Sequence, residues 1–313
     1  MGLLGNNSQL KELLEDILGD ELPAFLEWMS SPLQDVLRVN TLKIDPASLL
    51  NRLTEQGFEL EPLSFYPEAF RIKSAPFPPG KTLEHFLGYF YVQEIASMLP
   101  PLILNPQPGE YVLDMAAAPG SKTTQMAQMM RNKGVIVAND INFERIRALS
   151  HNIDRLGVLN VVITEFDGYK FARLTPDTFD KVLLDAPCSA IGTLHRSREI
   201  LKWWSWQKVG RLVRTQRGLI LAAYDALKPG GMMVYSTCTL TPEENEGTVD
   251  FLLSRHPEAE IMDIPDFGFK MDPGLPGWRR KTYDPRVVKT KRLLPHKNMT
   301  EGFFLAAIRK PEQ

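Results

Sequence analysis

The strongest constraint on the fold is an alternation of apolar strand patterns and amphipathic helix patterns that begins near residue 111. The apolar runs predict strands at residues 111–115, 135–139, 161–164, 181–184, 232–236 and 303–308. Helical periodicity lies between them at residues 122–130, 144–156 and 208–227, and the turn Lys228-Pro229-Gly230-Gly231 is expected to end the last helix. Because this order places helices on both faces of a parallel sheet, the sequence predicts an α/β fold.

The chain before residue 80 is predicted to form a smaller module. Helical patterns at residues 8–18 and 23–29 precede extended segments and one helix, which begins at Pro46 with Asp45 as its N-cap. This order is typical of a small α+β module behind an N-terminal helical segment. A proline-rich stretch from Pro76 to Gly80 predicts the boundary, so residues 1–80 and 81–313 are expected to be the two domains.

The composition is that of an ordinary globular protein, with 43% hydrophobic and 24% charged residues among 313 and a net charge of −2. No run approaches the roughly 18 apolar residues of a membrane span, and the first residues lack the basic start and apolar core of a secretory signal. Two cysteines cannot build a disulfide framework, and no zinc-ligand pattern is present. We therefore expect a cytoplasmic monomer without a metal or a membrane partner.

Positive charge is concentrated in two runs. Residues 191–217 hold seven basic residues against one acid, and residues 278–297 hold eight against one acid. Such segregation attracts phosphates to one face of a protein, so it predicts RNA as a partner. The alternative for the first run is a solvated helix face, since four basic residues recur at helical spacing: Lys208, Arg211, Arg214 and Arg217. Three interleaved tryptophans favour RNA, because aromatic rings stack on bases: Trp203, Trp204 and Trp206.

Acidic residues close or follow the first four predicted strands: Asp114, Asp140, Asp167 and Asp185. The carboxyl ends of parallel strands share one edge of a sheet, where ligands bind, and an acid after the second strand conventionally contacts ribose hydroxyls. A single aspartate after a strand is more often a helix cap. Four together indicate a ligand site.

The loop after the first strand reads Asp114-Met115-Ala116-Ala117-Ala118-Pro119-Gly120-Ser121-Lys122. Its small residues allow the backbone to approach a ligand, and a helix is expected to begin at Ser121. The loop lacks the glycine patterns of dinucleotide and triphosphate sites. A ligand with a ribose, an adenine and a positive sulfonium but no phosphate suits it, so we expect S-adenosylmethionine as the cofactor.

Only two cysteines occur, and each follows a predicted strand. Cys188 lies in Asp185-Ala186-Pro187-Cys188-Ser189 and Cys238 in Tyr235-Ser236-Thr237-Cys238-Thr239. One buried cysteine at a strand end is usually inert packing. Two of them, both at strand ends of a nucleotide-binding layout, favour a role in chemistry over packing.

Five segments resemble the Sun/Fmu-type RNA cytosine-C5 methyltransferases. They start at Val36 (VLRVNTLK), Asp114 (DMAAAPGSKT), Asp185 (DAPCS), Tyr235 (YSTCT) and Gly302 (GFF), and they occur in the order of that family from about residue 36 to the C-terminus. The resemblance implies a Rossmann-like S-adenosylmethionine-dependent methyltransferase sheet with a small N-terminal RNA-recognition-like module. It also implies 5-methylcytosine in RNA as the product.

The resemblance implies roles for individual residues. Cys238 is expected to be the nucleophile, Cys188 to assist product release, Asp185 to engage ring N3, and Lys122 to contact the base. The implied cofactor contacts are Ala116, Ala117, Ala118, Pro119, Gly120, Ser121, Lys122, Asp140, Arg145, Asp167 and Asp185. Pro187-Cys188 also resembles the nucleophile motif of DNA cytosine methyltransferases, so the reverse assignment of the two sulfurs stays open.

Three readings of the activity compete. The compact architecture resembles the short archaeal tRNA members of the family, which favours tRNA over the alternative, ribosomal RNA. A catalytically idle RNA-binding or assembly factor would not need Asp185, Cys188 and Cys238 intact. Methylation of an exocyclic amine calls for Asn/Asp-Pro-Pro-Tyr/Phe after the fourth strand, and Asp185-Ala186-Pro187-Cys188 departs from that pattern.

Overall fold

The structure is a computed structural model that describes Leu4 and residues 7–312. The prediction that the N-terminus is no secretory signal rests on residues 1–6, which apart from Leu4 lie outside the described part. The helices, in chain order, are α1 (Ser8–Leu18), α2 (Leu22–Ser30), α3 (Pro46–Glu55), α4 (Leu83–Phe86), α5 (Ile95–Leu104), α6 (Ser121–Met129), α7 (Phe143–Leu156), α8 (Phe171–Leu174), α9 (Ile200–Trp203), α10 (Trp206–Ala226), α11 (Glu246–Arg255) and α12 (Pro295–Asn298).

The strands, in chain order, are β1 (Val36–Val39), β2 (Glu59–Pro62), β3 (Ala69–Ser74), β4 (Phe90–Val92), β5 (Tyr111–Asp114), β6 (Val135–Asp140), β7 (Val161–Glu165), β8 (Phe179–Asp185), β9 (Leu227–Thr237), β10 (Glu260–Met262), β11 (Met271–Pro273), β12 (Gly277–Trp278), β13 (Lys281–Thr282), β14 (Lys291–Leu293) and β15 (Phe303–Arg309). None of the described helices is long and apolar enough to cross a membrane.

Backbone contacts divide the chain into two compact units. The loop unit comprises Gln34–Gly168 and Phe179–Leu183. The thiol unit comprises the chain up to Leu33, Tyr169–Thr178 and the chain from Leu184 onward. The predicted domain boundary between residues 80 and 81 stays a prediction.

The loop unit contains a small antiparallel sheet with the strand order β2-β3-β1-β4. Its helix α3 begins as predicted, with Pro46 in the first turn and the Asp45 side chain accepting a hydrogen bond from the Ser48 N–H at 2.9 Å. Leu37, Phe58 and Phe90 are buried in its core. The predicted α+β module is therefore confirmed.

The second sheet of the loop unit is parallel, with the order β8-β5-β6-β7. The chain runs outward from β5 through β6 to β7 and then places β8 on the other side of β5, so the strand order reverses between β5 and β8. Ligands of open α/β sheets bind at the carboxyl ends of strands beside such a reversal. The predicted Rossmann-like sheet is confirmed.

The thiol unit contains antiparallel strands in the order β11-β14-β15-β9, and β10 pairs with β15. Strand β15 pairs with β9 from Phe304 opposite Thr237 to Arg309 opposite Met232. This register secures the end of β9, directly before Cys238. The helical segment at residues 8–30 buries Leu13, Phe25 and Trp28 in an apolar cluster with Trp204 and Leu240.

The segment Lys228-Pro229-Gly230-Gly231 ends the preceding helix as predicted, but it lies within the following strand, which was expected to begin only at Met232. Helix α10 ends at Ala226, and β9 begins at the next residue and runs without a break to Thr237. The Gly230 N–H donates to the Lys310 carbonyl at 2.8 Å, and the Lys310 N–H donates to the Gly231 carbonyl at 3.0 Å. Gly230 has φ +79°, so the backbone bends there, and these bonds to the chain after β15 hold the bent segment within β9.

Candidate active site

The alanine–proline–glycine loop joins the end of β5 to the start of α6. Its Ala118–Pro119 peptide bond is cis. Gly120 has φ +102° as the N-cap of α6, and a Cβ atom there would lie 2.8 Å from Leu149 Cδ1. Glycine is required at this position both for the backbone angle and for the close approach of the loop to α7.

Asp140, the last residue of β6, anchors this loop. Its Oδ2 accepts a hydrogen bond from the Ala118 N–H at 3.3 Å, and its Oδ1 accepts one from the Asn142 N–H at 3.0 Å. Arg145 Nη1 lies 3.3 Å from Asp140 Oδ2, and the same guanidinium donates to the Ala118 carbonyl. Three predicted cofactor contacts, Ala118, Asp140 and Arg145, therefore lie together.

Asn139, which was not among the predicted site residues, joins the ends of three strands. Its amide donates to the carbonyls of Met115 at 3.1 Å and Phe166 at 3.0 Å, and its Oδ1 accepts from the Thr164 hydroxyl at 2.9 Å. The signal in the sequence was the Asn139-Asp140 pair at a strand end, of which only the aspartate was assigned. Asn139 holds the carboxyl edge of the parallel sheet in register.

The residues of the loop unit fit S-adenosylmethionine. Asp114 and Asp140 are buried at their strand ends, and Asp167 lies half-buried just beyond β7. Three carboxylates at one edge of a sheet complement a positively charged sulfonium and disfavour phosphates. Lys122 is buried in the first turn of α6 of the same unit.

The two cysteines form a close pair in the thiol unit. The Sγ atoms of Cys188 and Cys238 lie 3.1 Å apart, and both residues are half-buried. The hydrogen bond with Cys238 and burial raise the pKa of the Cys188 thiol well above its ordinary value. Cys188 therefore keeps its proton at neutral pH and can donate it in a hydrogen bond to the Cys238 sulfur.

Asp185 lies in the same unit as the thiol pair. It is the last residue of β8, and its Oδ1 accepts a hydrogen bond from the Ser236 hydroxyl at 2.8 Å. The Ala186 N–H donates to the Ser236 carbonyl at 2.9 Å. Strand β9 thus orients the Asp185 carboxylate, which begins the Cys188 motif. The same strand ends at Thr237, directly before Cys238.

A buried carboxylate that the sequence analysis missed holds the Cys188 segment. Glu244 Oε1 accepts hydrogen bonds from the Ser189 N–H at 2.9 Å and the Gln216 amide at 3.0 Å, and Oε2 accepts one from the Ser189 hydroxyl. The Gln216 amide also donates to the Pro187 carbonyl at 2.8 Å. Burial raises the pKa of Glu244, against the lowering effect of these hydrogen bonds.

The next residue, Asn245, holds the Cys238 segment in a similar way. Its Oδ1 accepts from the Thr237 hydroxyl at 2.6 Å, and its amide donates to the Thr239 carbonyl at 3.0 Å. Glu244 and Asn245 therefore position the two cysteine motifs from one short segment. The signal in the sequence was the acidic stretch Glu243-Glu244-Asn245-Glu246 directly after the Cys238 motif.

The part of the chain that the structure describes contains no cluster of side chains that could bind a metal ion. No group of three or more histidine, cysteine, aspartate or glutamate side chains is placed there to hold a metal ion.

Known proteins resemble the chain over nearly its whole length. Residues 101–309 match the family model of the 16S rRNA methyltransferase RsmB/F, and residues 7–95 match that of the N-terminal domain of the 16S rRNA methyltransferase RsmF. A tRNA (cytosine(49)-C(5))-methyltransferase from Pyrococcus abyssi is 46% identical over 294 residues, which cover 93% of each chain. The ribosomal RNA small subunit methyltransferase F of Klebsiella pneumoniae is 43% identical over 91% of this chain, which spans only 59% of that protein.

Solved structures are similar to this chain over nearly its whole length as well. A methyltransferase homologue from Pyrococcus horikoshii has a TM-score of 0.86 at 37% identity, over 98% of this chain and 96% of that one. NSun6 from the same organism, solved with SFG, has a TM-score of 0.84 at 28% identity, over 98% of each chain. The family uses S-adenosylmethionine as its cofactor, as predicted. The chain belongs to the RsmB/F methyltransferase family, which confirms the predicted kinship with the Sun/Fmu-type RNA cytosine-C5 methyltransferases.

Proposed function

We propose that this protein methylates C5 of a cytosine in tRNA through a transient bond between Cys238 and C6 of the base. The observation that carries the proposal is the 3.1 Å separation of the Cys188 and Cys238 sulfurs. Membership of a family of RNA cytosine-C5 methyltransferases supports the reaction. Two cysteines that served only as packing would not be expected to lie in sulfur–sulfur contact, with the buried Glu244 holding the segment of one of them.

The choice of tRNA rests on sequence identity. The Pyrococcus abyssi protein named for tRNA is 46% identical to this chain, and the Klebsiella pneumoniae protein named for ribosomal RNA is 43% identical. Ribosomal RNA is the second candidate substrate, because the matching family models carry that name.

Residues of the loop unit are proposed to hold the methyl donor. S-adenosylmethionine, when bound, supplies an electrophilic methyl group on a positive sulfur. Asp140 would contact its ribose, and Arg145 holds Asp140 and the loop in place through the contacts described above. The proposed set in this unit is Ala116, Ala117, Ala118, Pro119, Gly120, Ser121, Lys122, Asp140, Arg145 and Asp167, and the resemblance to the family adds Asp185, which belongs to the thiol unit.

The thiol unit supplies the covalent step. The Cys238 sulfur adds to C6 of cytosine, which moves electron density to C5 and makes that carbon nucleophilic. Cys188, which keeps its proton, stabilises a Cys238 thiolate by donating a hydrogen bond to it. Asp185, oriented by Ser236, is proposed to act as the general acid that donates a proton to ring N3 as negative charge develops there.

The covalent bond must break after the methyl group is transferred. The C5 proton leaves to a base, the C5–C6 double bond returns, and the Cys238 sulfur departs as a thiolate. Cys188 lies beside that sulfur and is proposed to assist its departure. One sulfur therefore makes the bond, and the other helps to release the product.

Bisulfite sequencing of total RNA from cells with and without the gene tests the proposal. We expect one cytosine of a tRNA to be protected in the parent cells and converted in the deletion, and protection to return with the wild-type gene but not with Cys238→Ala. A protected position lost from ribosomal RNA would replace the tRNA assignment and keep the reaction. No lost position in any RNA would contradict the reaction and favour an idle RNA-binding scaffold.

A further inference from the structure

The two basic runs have different electrostatic surroundings. In residues 278–297, most basic side chains have an acidic partner within 4.0 Å. The pairs are Arg279 with Asp16, Lys281 with Asp250, Arg286 with Asp284, Lys289 with Asp263, Arg292 with Glu246, and Lys297 with Glu21 and Asp272. The protein itself neutralises most of the charge of this run.

Helix α10, in the other run, keeps its positive charge exposed. Lys208, Arg211 and Arg214 are exposed, and none of them forms an ion pair with a residue in the described part of the chain. The helix has no acid before Asp225, near its C-terminal end. Because residues three and four apart are neighbours on a helix, these three side chains lie on one face, about 9 Å long by the rise of 1.5 Å per residue.

This arrangement is unfavourable for the helix itself. The N-terminal end of a helix carries positive partial charge, and Lys208, in the first turn of α10, adds more positive charge there. Basic residues three apart, such as Arg211 and Arg214, also repel one another. A polyanion along this face would offset these repulsions by attracting each basic side chain, so the charges favour binding of a polyanion rather than stability of the helix.

Aromatic and concave surfaces lie at the two ends of the basic face. Tyr169 is 43% exposed, its hydroxyl donates to the Thr215 carbonyl at 3.4 Å, and its ring lies against Gly218, which is on the same helix face as Arg211 and Arg214. At the other end, a pocket of about 700 Å³ adjoins the start of α10; it is lined in part by Arg198, Lys202, Trp204 and Ser205. A basic track flanked by an aromatic ring suits single-stranded nucleic acid, whose bases stack while its phosphates are neutralised.

We propose that the exposed face of α10, defined by Lys208, Arg211, Arg214 and the neighbouring Tyr169, binds the phosphate backbone of the RNA substrate. The inference rests on the proposed function for the identity of the partner. It goes further by assigning contact to one basic run and denying it to the other. Phosphate contacts of this kind hold any RNA sequence, so the face contributes affinity and position rather than choice of base.

The test compares two double variants that each remove two exposed positive charges. Arg211→Gln with Arg214→Gln alters the proposed face, and Lys281→Gln with Lys289→Gln alters the ion-paired run. The affinity of the full-length protein for a labelled, unmodified tRNA transcript is measured between about 50 and 200 mM salt. The logarithm of the association constant falls as the logarithm of the salt concentration rises. We expect the first variant to make this negative slope shallower by about 1.5. It should also weaken binding on the order of tenfold at the lower salt concentration.

The control variant should stay within about twofold of the wild type, and Arg211→Lys with Arg214→Lys should restore the slope because it keeps the charge. The melting temperature of the glutamine variant of α10 should not fall, since like charges are removed. An unchanged slope for that variant, an equal loss in both double variants, or a wild-type protein that does not bind tRNA would each overturn the proposal.

The two proposals fail in distinguishable ways. If the wild-type protein transfers methyl groups to RNA while the α10 variant binds normally, the surface is refuted and the reaction stands. If the slope falls as expected while the wild-type protein methylates no RNA, the reaction is refuted and the binding face stands.

Discussion

Cys188 and Cys238 are 50 residues apart in sequence, yet their sulfur atoms lie 3.1 Å apart. At this distance one thiol proton can bridge both sulfurs. The pKa of Cys188 is raised by its hydrogen bond with Cys238 and by burial, so the proton stays with Cys188. We therefore expect the two cysteines to have different roles and to respond differently to substitution.

Cys238→Ala should abolish the covalent protein–RNA adduct, because the sulfur that adds to C6 is gone. Cys188→Ala should make the adduct accumulate, because the bond still forms and its release is slowed. Denaturing gel electrophoresis of each variant with RNA and S-adenosylmethionine measures the adduct, and the double variant is the background control. Accumulation in Cys238→Ala and none in Cys188→Ala would exchange the two roles.

Alkylation of Cys188 by iodoacetamide should be slow at neutral pH and should rise only in alkaline solution. The thiolate is the reactive form, and a raised pKa keeps Cys188 protonated. In Cys238→Ala, which lacks the neighbouring sulfur, the same reaction should reach half of its maximal rate at a lower pH. Mass spectrometry of the peptide that contains Cys188 follows the rate, and identical pH profiles in the two proteins would contradict the assigned cause.

Asp140→Asn should weaken the binding of S-adenosylmethionine by roughly tenfold or more, the effect of losing a hydrogen bond to a charged group. The amide keeps the size of the side chain but loses the charge that pairs with Arg145. Titration calorimetry measures the affinity. Glu144→Gln is the matched control, since Glu144 is 74% exposed and pairs with Arg147 away from the loop. Equal affinity in both variants would remove Asp140 from the cofactor site.

Glu244→Ala should lower the free energy of unfolding by about 2–4 kcal/mol, because it leaves buried donors of Ser189 and Gln216 without an acceptor. Glu144→Gln, at an exposed position, should change the free energy of unfolding by less than about 0.5 kcal/mol. Chemical denaturation measures both. A neutral effect of Glu244→Ala would mean that the Cys188 segment is held by other contacts.

The pH dependence of stability gives a second test of Glu244. Burial raises its pKa in the folded state above the ordinary value of 4.5, so the folded protein binds more protons than the unfolded chain between these two values. The contribution of Glu244 to stability is therefore complete below pH 4.5 and is lost as the pH rises through the folded pKa. Unfolding free energies of the wild type and Glu244→Gln, measured across this range, should differ by an amount that changes with pH in this direction.

Local patterns predicted most of the helices and strands well. Helix α1 occupies residues 8–18 as predicted, and α3 begins at the Asp45 cap and Pro46. Hydrophobic periodicity and capping are properties of neighbouring residues, so the sequence carries them directly. The same is true of the Ala118-Pro119-Gly120 loop, whose residue types are required by its own backbone.

Local patterns could not predict contacts between segments that are distant in the sequence. The segment around Gly230 belongs to β9 because Lys310, 80 residues after Gly230, forms backbone hydrogen bonds with Gly230 and Gly231. Glu244 was overlooked because a stretch of acidic residues normally indicates a solvent-exposed surface, and only the fold surrounds this side chain with Ser189 and Gln216.

By itself, the sequence determined the family and the alternation of strands and helices after residue 111, and it supplied the proposal for the residues of the site, since these depend on residue type and spacing along the chain. Only the tertiary structure decided that the sulfurs of Cys188 and Cys238 lie in contact, that Glu244 and Asn245 hold their motifs, and that α10 keeps its charge while most of the charge of residues 278–297 is neutralised. Each of these depends on which distant groups lie within a few ångströms, and folding alone determines that.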